Sequence, residues 1–230
     1  MATFRDKKYI KGILVNTLFL MIDLIRKHRE IIVLTVSVIF LLLAMFLLPL
    51  ISAPEYSIIR NTISELGSQS APSSWILNSI YVSLAFGSLI AGWGFYRGFI
   101  FHRSILLVFS VTLILSAFFN QAPVNPGISY NTSEAGWHSY FAGATVLSFI
   151  ILSLSTGFIK EKQHDRPAAV LAGISIIFLS ILMSEAERFA GIWHRLMFMI
   201  MFGWQLLAFK FRKSWRIKNY CPKRDIKLNN

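Results

Sequence analysis

Ile31-Ile-Val-Leu-Thr-Val-Ser-Val-Ile-Phe40-Leu-Leu-Leu-Ala-Met-Phe-Leu-Leu-Pro49-Leu-Ile51 runs from residue 31 to residue 51 without a charged side chain. A bilayer hydrocarbon core about 30 Å thick needs about 20 apolar residues per helical crossing, and this stretch supplies one. It lacks the period-2 alternation of a barrel strand. Pro49, which removes a backbone donor and fixes φ, stands where the crossing ends, so it marks an exit and not a central kink. Outward from this span, hydropathy marks five more, at 75–96, 104–119, 137–159, 167–184 and 189–209. The third is the shortest and lengthens by tilting or by taking His102 and Arg103 as snorkelling ends.

Whole-chain composition agrees with this threading. Of 230 residues, 55% are hydrophobic and 15% are charged, against about 25% charged in soluble domains, and the mean hydropathy is +0.58. An ordinary water-soluble enzyme is excluded. The expectation is an all-α integral membrane protein, a bundle of six transmembrane helices over 31–210 flanked by basic segments at 1–30 and 211–230. Cys221 is the one cysteine, so no intramolecular disulfide, zinc ribbon or redox pair can form. No repeat of the 20–50-residue kind stands out. Ser83, Gly87, Ser88, Ala91 and Gly92 give the second span a small surface suited to close helix packing.

Placement of the charges then orients the bundle. Twenty of the 23 Lys and Arg residues fall in segments 1–30, 97–103, 160–166 and 210–230, leaving Arg60, Arg188 and Arg195 for the other side. Basic residues accumulate in cytoplasmic loops, so both termini are expected in the cytoplasm. The net charge of +12 is then read as contact with anionic headgroups, with no nucleic acid as partner. Residues 9–25 are apolar but carry Lys11, Asn16 and Asp23 and are flanked by basic clusters on both sides. They are read as a short N-terminal interfacial helix, and no signal-peptide cleavage site follows them.

The opposite side collects polar residues in three loops. The first contains Arg60-Asn-Thr-Ile-Ser-Glu-Leu-Gly67. Asn61 or Thr62 can cap a short helix there, Glu65 follows Thr62 by the three residues of a capping box, and Gly67 and Pro72 delimit it. The second contains Asn120-Gln-Ala-Pro-Val-Asn-Pro-Gly127, then the Asn131-Thr-Ser133 sequon, Glu134, Trp137 and His138. His138 stands 22 residues before Lys160, about 33 Å along a helix, which sets it at the membrane boundary. The third is Ser184-Glu-Ala-Glu-Arg-Phe-Ala-Gly-Ile-Trp-His-Arg195. An arginine inside a span costs about 2.5–3.5 kcal/mol on insertion and calls for a partner, here expected among Glu65, Glu185 and Glu187. Glu185 and Arg188 are spaced to pair on one helical face. Glu65, His138, Glu185, Arg188, His194 and Arg195 thus share one level of the membrane.

Several of these residues carry a resemblance. Ile63-Ser-Glu-Leu-Gly67 after the first span, Ala71-Pro72 and Trp75, His138-Ser139 opening the fourth span, and Gly191-Ile-Trp-His-Arg195 opening the sixth are similar to the bacterial membrane proteins of domain of unknown function 998. The similarity covers about residues 30–210 and leaves out both basic tails. It implies the multi-pass fold, a bacterial cytoplasmic membrane and the importance of those residues, and implies no substrate. Where the family has Phe-Pro and an acid after the third span, this chain has Phe119-Asn-Gln-Ala-Pro123.

Three functions remain open from the residues. Arg60, Asn61, Ser64, Glu65, His138, Glu185, Arg188 and Arg195 can bind a lipid headgroup or small anion, since arginine clamps carboxylates and phosphates bidentately. Alternatively, His138 and His194 with Glu65 or Glu185 can hold zinc and activate water for an intramembrane hydrolase acting on a lipid or lipid-linked substrate. That arrangement is distantly similar to alkaline ceramidase-like hydrolases, without their His-x-x-x-His pair. A haem between the two histidines is a further variant of the metal reading. The third reading is structural or partner-binding, an ion network that fixes helix positions. Oligomeric state and substrate carry no signature in the sequence.

Overall fold

The computed structural model describes residues 31–159 and 166–210. The expected interfacial helix at 9–25, the rest of segment 1–30 and the tail 211–230 with Cys221 lie outside the described residues.

Among the described residues, six helices are long and apolar enough to cross a membrane. They are α1 (Ile31–Ile51), α2 (Ser74–Phe95), α3 (Ile100–Phe118), α4 (Thr132–Ile159), α5 (Arg166–Glu185) and α6 (Ala190–Lys210). The last turn of α1, Leu48–Ile51, tightens to 3-10 geometry with Pro49 at its start, where the missing proline N–H is no loss. Helix α3 takes in His102 and Arg103, as its short hydropathic run requires. Arg103 turns back, its Nε donating to the Trp93 carbonyl at 3.1 Å and its guanidinium lying 4.9 Å from the Trp93 ring centroid.

Helix α4 begins at Thr132, five residues ahead of the span expected at 137. The reason is a cap: the Asn131 carboxamide oxygen accepts the Glu134 N–H at 3.2 Å, which satisfies one of the orphan donors of the first turn. The string that reads as a sequon therefore opens a helix. His138 consequently lies inside its second turn.

Helices adjacent in sequence pack against one another from α2 to α6, and α6 also touches α2. Lipid tails are as apolar as leucine, so these contacts rest on fit more than on the hydrophobic effect. A Cβ on Gly87 would lie 2.8 Å from the Leu34 Cα, and one on Gly92 would lie 2.7 Å from Leu106 and 3.0 Å from Phe209. A Cβ on Gly157 would lie 2.7 Å from Val170. Small residues thus set the α1/α2, α2/α3/α6 and α4/α5 distances. Phe109, Phe149 and Phe202 fill the centre. Ile39, Phe40, Phe46, Phe86, Leu171, Phe178 and Leu207 are exposed, an apolar sheath that suits a lipid surround and would be an aggregation hazard in water.

Candidate functional site

The 52–73 loop is shaped by its own side chains. Asn61 accepts the Ser57 N–H on Oδ1 at 2.8 Å, and the Asn61 N–H reaches the Ser57 carbonyl at 2.7 Å. The Glu65 carboxylate accepts from the Thr62 N–H, from the Thr62 hydroxyl at 3.0 Å and from the Asn61 amide at 3.2 Å. The Glu65 carboxylate reaches back to Thr62 at the spacing of a capping box, but the 3-10 turn Ser64–Gly67 opens at Ile63 without a side-chain cap, so neither Asn61 nor Thr62 caps it as expected. The turn seats against α2, where a Cβ on Gly67 would meet Leu77 and Asn78 at 3.0 and 3.1 Å. Glu65 is thereby committed to bracing the loop through Asn61 and Thr62.

Helix α6 receives this loop through two residues one turn apart. A Cβ on Gly191 would lie 2.3 Å from the Ile58 carbonyl oxygen and 2.4 Å from that of Asn61, and the Gly191 N–H donates to Ile59 at 3.0 Å. Only glycine leaves room for those carbonyls. Arg195, 6% exposed, then donates from Nη1 to the carbonyls of Ile58 (2.8 Å), Asn61 (3.1 Å) and Gly191 (2.8 Å), and from Nη2 to the Tyr56 hydroxyl at 2.7 Å. The Tyr56 hydroxyl in turn donates a hydrogen bond to the Thr62 carbonyl at 2.9 Å. Burial holds the Tyr56 phenol above its ordinary pKa, outweighing the neighbouring Arg195 cation. The carboxylate partner expected for Arg195 is replaced by carbonyl dipoles and a phenol. A turn whose own carbonyls lack helical partners supplies those acceptors at no cost in side chains.

The first and second loops are joined by amides. Gln69 donates from Nε2 to the Asn131 carbonyl at 3.0 Å and accepts the Asn131 N–H at 2.8 Å, while its backbone N–H reaches Gln121 at 2.9 Å. Asn78 donates to the Asn120 side chain at 2.8 Å, and the Asn120 N–H donates to Glu134 at 2.9 Å. Three segments far apart in sequence therefore form one pole of the bundle.

Two imidazoles complete that pole. The Nδ1 of His138, a residue 5% exposed, lies 2.8 Å from the carbonyl oxygens of both Ser116 and Phe119, at the end of α3. The Nδ1 of His194 accepts the Ile63 N–H at 3.1 Å. Neither Nε2 has a hydrogen-bond partner among the described residues. A chain of contacts links the two rings: Ile63 opens the turn that ends at Gly67, Gly67 abuts Asn78, Asn78 holds Asn120, and Phe119 holds His138.

The two strings that interlock here, Ile63–Gly67 and Gly191–Arg195, lie within the region that a family model described as protein of unknown function (DUF998) matches, residues 36–209. The chain belongs to the DUF998 family. No curated protein and no solved structure matches it.

In this DUF998 protein the remaining candidates sit apart from the pole's interior. Arg60, Glu185 and Arg188 are exposed. Ala186, at φ −119° and ψ 59°, breaks the helix between Glu185 and Arg188, so the two never share a helical face. Ser64 is buried, its hydroxyl 3.4 Å from that of Tyr81. A zinc or haem between His138 and His194 does not fit the donor chemistry. An Nδ1 that accepts the Ile63 N–H leaves the neutral His194 ring protonated at Nε2, with no lone pair there for a metal. Among the described residues no three His, Cys, Asp or Glu side chains group as metal ligands. Sequence reasoning missed Tyr56, Gln69 and Asn78. Only Asn78, an amide in the second turn of an apolar helix, left a signal.

Proposed function

We propose that the loop pole of this multi-pass membrane protein is a binding module for the polar headgroup of a membrane lipid. His138 and His194 are its contact groups, and Arg195 is the organiser that docks the 52–73 loop onto α6. The observation that carries this reading is that backbone groups hold each imidazole through Nδ1 while each Nε2 has no partner. Such preorganisation is what a binding site requires of its polar groups. Exposed Trp75, Trp137 and Tyr140 near the loop ends of α2 and α4 add the aromatic rim typical of a membrane–water boundary. The uneven distribution of basic residues supports a pole on the non-cytoplasmic side, in the bacterial cytoplasmic membrane that the family resemblance suggests. A small-anion clamp has less support, because Arg60 and Arg188 stand exposed and the Arg195 Nη groups already serve carbonyls and Tyr56.

The test is the lipid content of protein purified in mild detergent, measured by mass spectrometry and compared with the host membrane. The wild type should retain one lipid class above its bulk share, and His138→Asn with His194→Asn should lose that enrichment while still folding. An identical lipid profile in wild type and double variant would overturn the proposal.

A further inference from the structure

Away from the loop pole, Ser88 on α2, Ser110 on α3 and Gln205 on α6 lie between the helices at 0%, 1% and 0% exposure. Among the described residues neither serine hydroxyl has a hydrogen-bond partner, and neither does the oxygen or the nitrogen of the Gln205 amide. Turning the amide over therefore mends nothing. Helix register brings the three to one level. Asn78 bonds Asn120 and a Cβ on Gly92 would lie 2.7 Å from Leu106, so α3 runs back one residue for each residue along α2. Ser88 and Ser110 occupy a matching step between those two contacts. Tyr81 stacks on Phe198 at 5.5 Å and Gly92 meets Phe209, each α6 residue 117 positions beyond its α2 neighbour. Gln205 is likewise 117 positions beyond Ser88. The face agrees with the level. Ser88, Ser110 and Gln205 each stand four positions from Gly92, Leu106 and Phe209, which meet at one point, and residues four apart share a helical face. Phe109 and Phe202, with ring centroids 6.2 Å apart, bring α3 against α6 at this depth.

We infer that this level is an intramembrane binding site for water, which bridges α2, α3 and α6. The inference is independent of the headgroup reading. A serine that only filled a helix contact would bond the carbonyl four residues back, as Ser37, Thr145 and Ser180 do at 2.8, 2.9 and 2.8 Å. Ser88 and Ser110 leave that bond unmade. An amide offers donors and acceptors and a hydroxyl offers both, so the occupant must itself donate and accept. It must also be neutral. Arg195 is the one Lys, Arg, Asp or Glu buried among the described residues. It stands ten residues up α6, about 15 Å along the axis, with its Nη groups taken by carbonyls and Tyr56. An ion beside Gln205 would lie in an apolar interior without a countercharge. Water meets both demands, and buried waters ordinarily make about three hydrogen bonds to polar groups otherwise left unpaired.

The test is water-to-protein magnetisation transfer in solid-state nuclear magnetic resonance. The full-length protein, labelled with nitrogen-15 at glutamine side chains, is reconstituted in lipid bilayers. The expected result is transfer from water to the Gln205 amide, as deep in the bundle as it lies. Ser88→Ala with Ser110→Ala should remove that transfer, because two of the three groups that hold the water are gone. Replacing the whole set, with Gln205→Met added, should leave a folded protein that melts no lower than the wild type, since no buried polar group then lacks a partner. The wild-type measurement needs no variant, and absence of transfer to Gln205 would overturn the inference. Transfer unchanged in the folded double variant would also overturn it, for the water would then lie elsewhere than between the three helices. A small organic molecule retained in native mass spectra of the wild type and lost with the triple replacement would overturn water as the occupant.

Discussion

In the body of the bundle α1 meets α2 where Gly87 admits the backbone of Leu34, whereas at the pole α6 meets the 52–73 loop where Gly191 admits three carbonyl oxygens. Both contacts need a missing side chain, yet what they bring together differs. Helical backbone arrives at Gly87 already hydrogen-bonded, so the contact is one of shape. The loop arrives at Gly191 with carbonyls still to be satisfied, and Gly191 and Arg195 supply the donors. A buried carbonyl left unsatisfied costs about 1–3 kcal/mol, so the pole depends on polar accounting where the body depends on fit.

Substitutions at the two regions should therefore differ in size. Gly191→Ala is expected to have the largest effect, about 3 kcal/mol or more, because the added Cβ would overlap three carbonyl oxygens and push the loop away from the donors on Gly191 and Arg195, whereas Gly87 meets one residue of helical backbone. A thermal melt in detergent, read by size exclusion, should show loss of the folded peak. Arg195→Ala follows at about 2–3 kcal/mol, since charge-assisted bonds to two carbonyls of the loop vanish together. Arg195→Lys should recover only part, for an ammonium cannot reach the carbonyls and Tyr56 at once. A full recovery would reduce the guanidinium geometry to mere charge.

In the body, Gly87→Ala should cost about 1–3 kcal/mol by overpacking against Leu34, measured in the same melt. If it exceeds Gly191→Ala, the contrast drawn between the regions is wrong. Tyr56→Phe should cost about 1 kcal/mol, the worth of one relay of hydrogen bonds between Arg195 and Thr62. Smallest of all, Glu185→Gln should stay within about 0.5 kcal/mol, because this exposed carboxylate does not pair with Arg188. A large effect there would restore the ion-network reading.

The same division explains what the sequence discloses. Helix α1 is legible because a charge-free run of that length has one use, and the contact between Glu65 and Thr62 is legible because they hold the spacing of a capping box, although the turn itself opens at Ile63 without a side-chain cap. The start of α4 is not, since hydropathy counts Thr132, Ser133 and Glu134 as loop although a capped helix can project past the apolar core. The partners of Arg195 are the clearest case. Acidic residues can be counted along a chain, but the acceptors here are main-chain carbonyls of Ile58 and Asn61, more than 130 positions away, and any residue type supplies a carbonyl. Glu185 and Arg188 show the converse, a spacing that suggests a pair until the backbone at Ala186 leaves the helix. His138 and His194 are visible as isolated polar residues near span ends, whereas their opposite protonation depends on Ser116, Phe119 and Ile63 backbone that no pattern reveals.

That opposite protonation, with His138 Nδ1 facing carbonyls that only accept and His194 Nδ1 facing an N–H that only donates, is where the account is most exposed. Nitrogen-15 spectra of the full-length protein, labelled at histidine and assigned by His138→Asn and His194→Asn, report which ring nitrogen carries each proton. The account predicts His138 protonated at Nδ1 and bare at Nε2, and His194 bare at Nδ1 and protonated at Nε2, both stable near neutral pH. Two rings in the same tautomer, or averaging signals from solvent-exposed imidazoles, would contradict it.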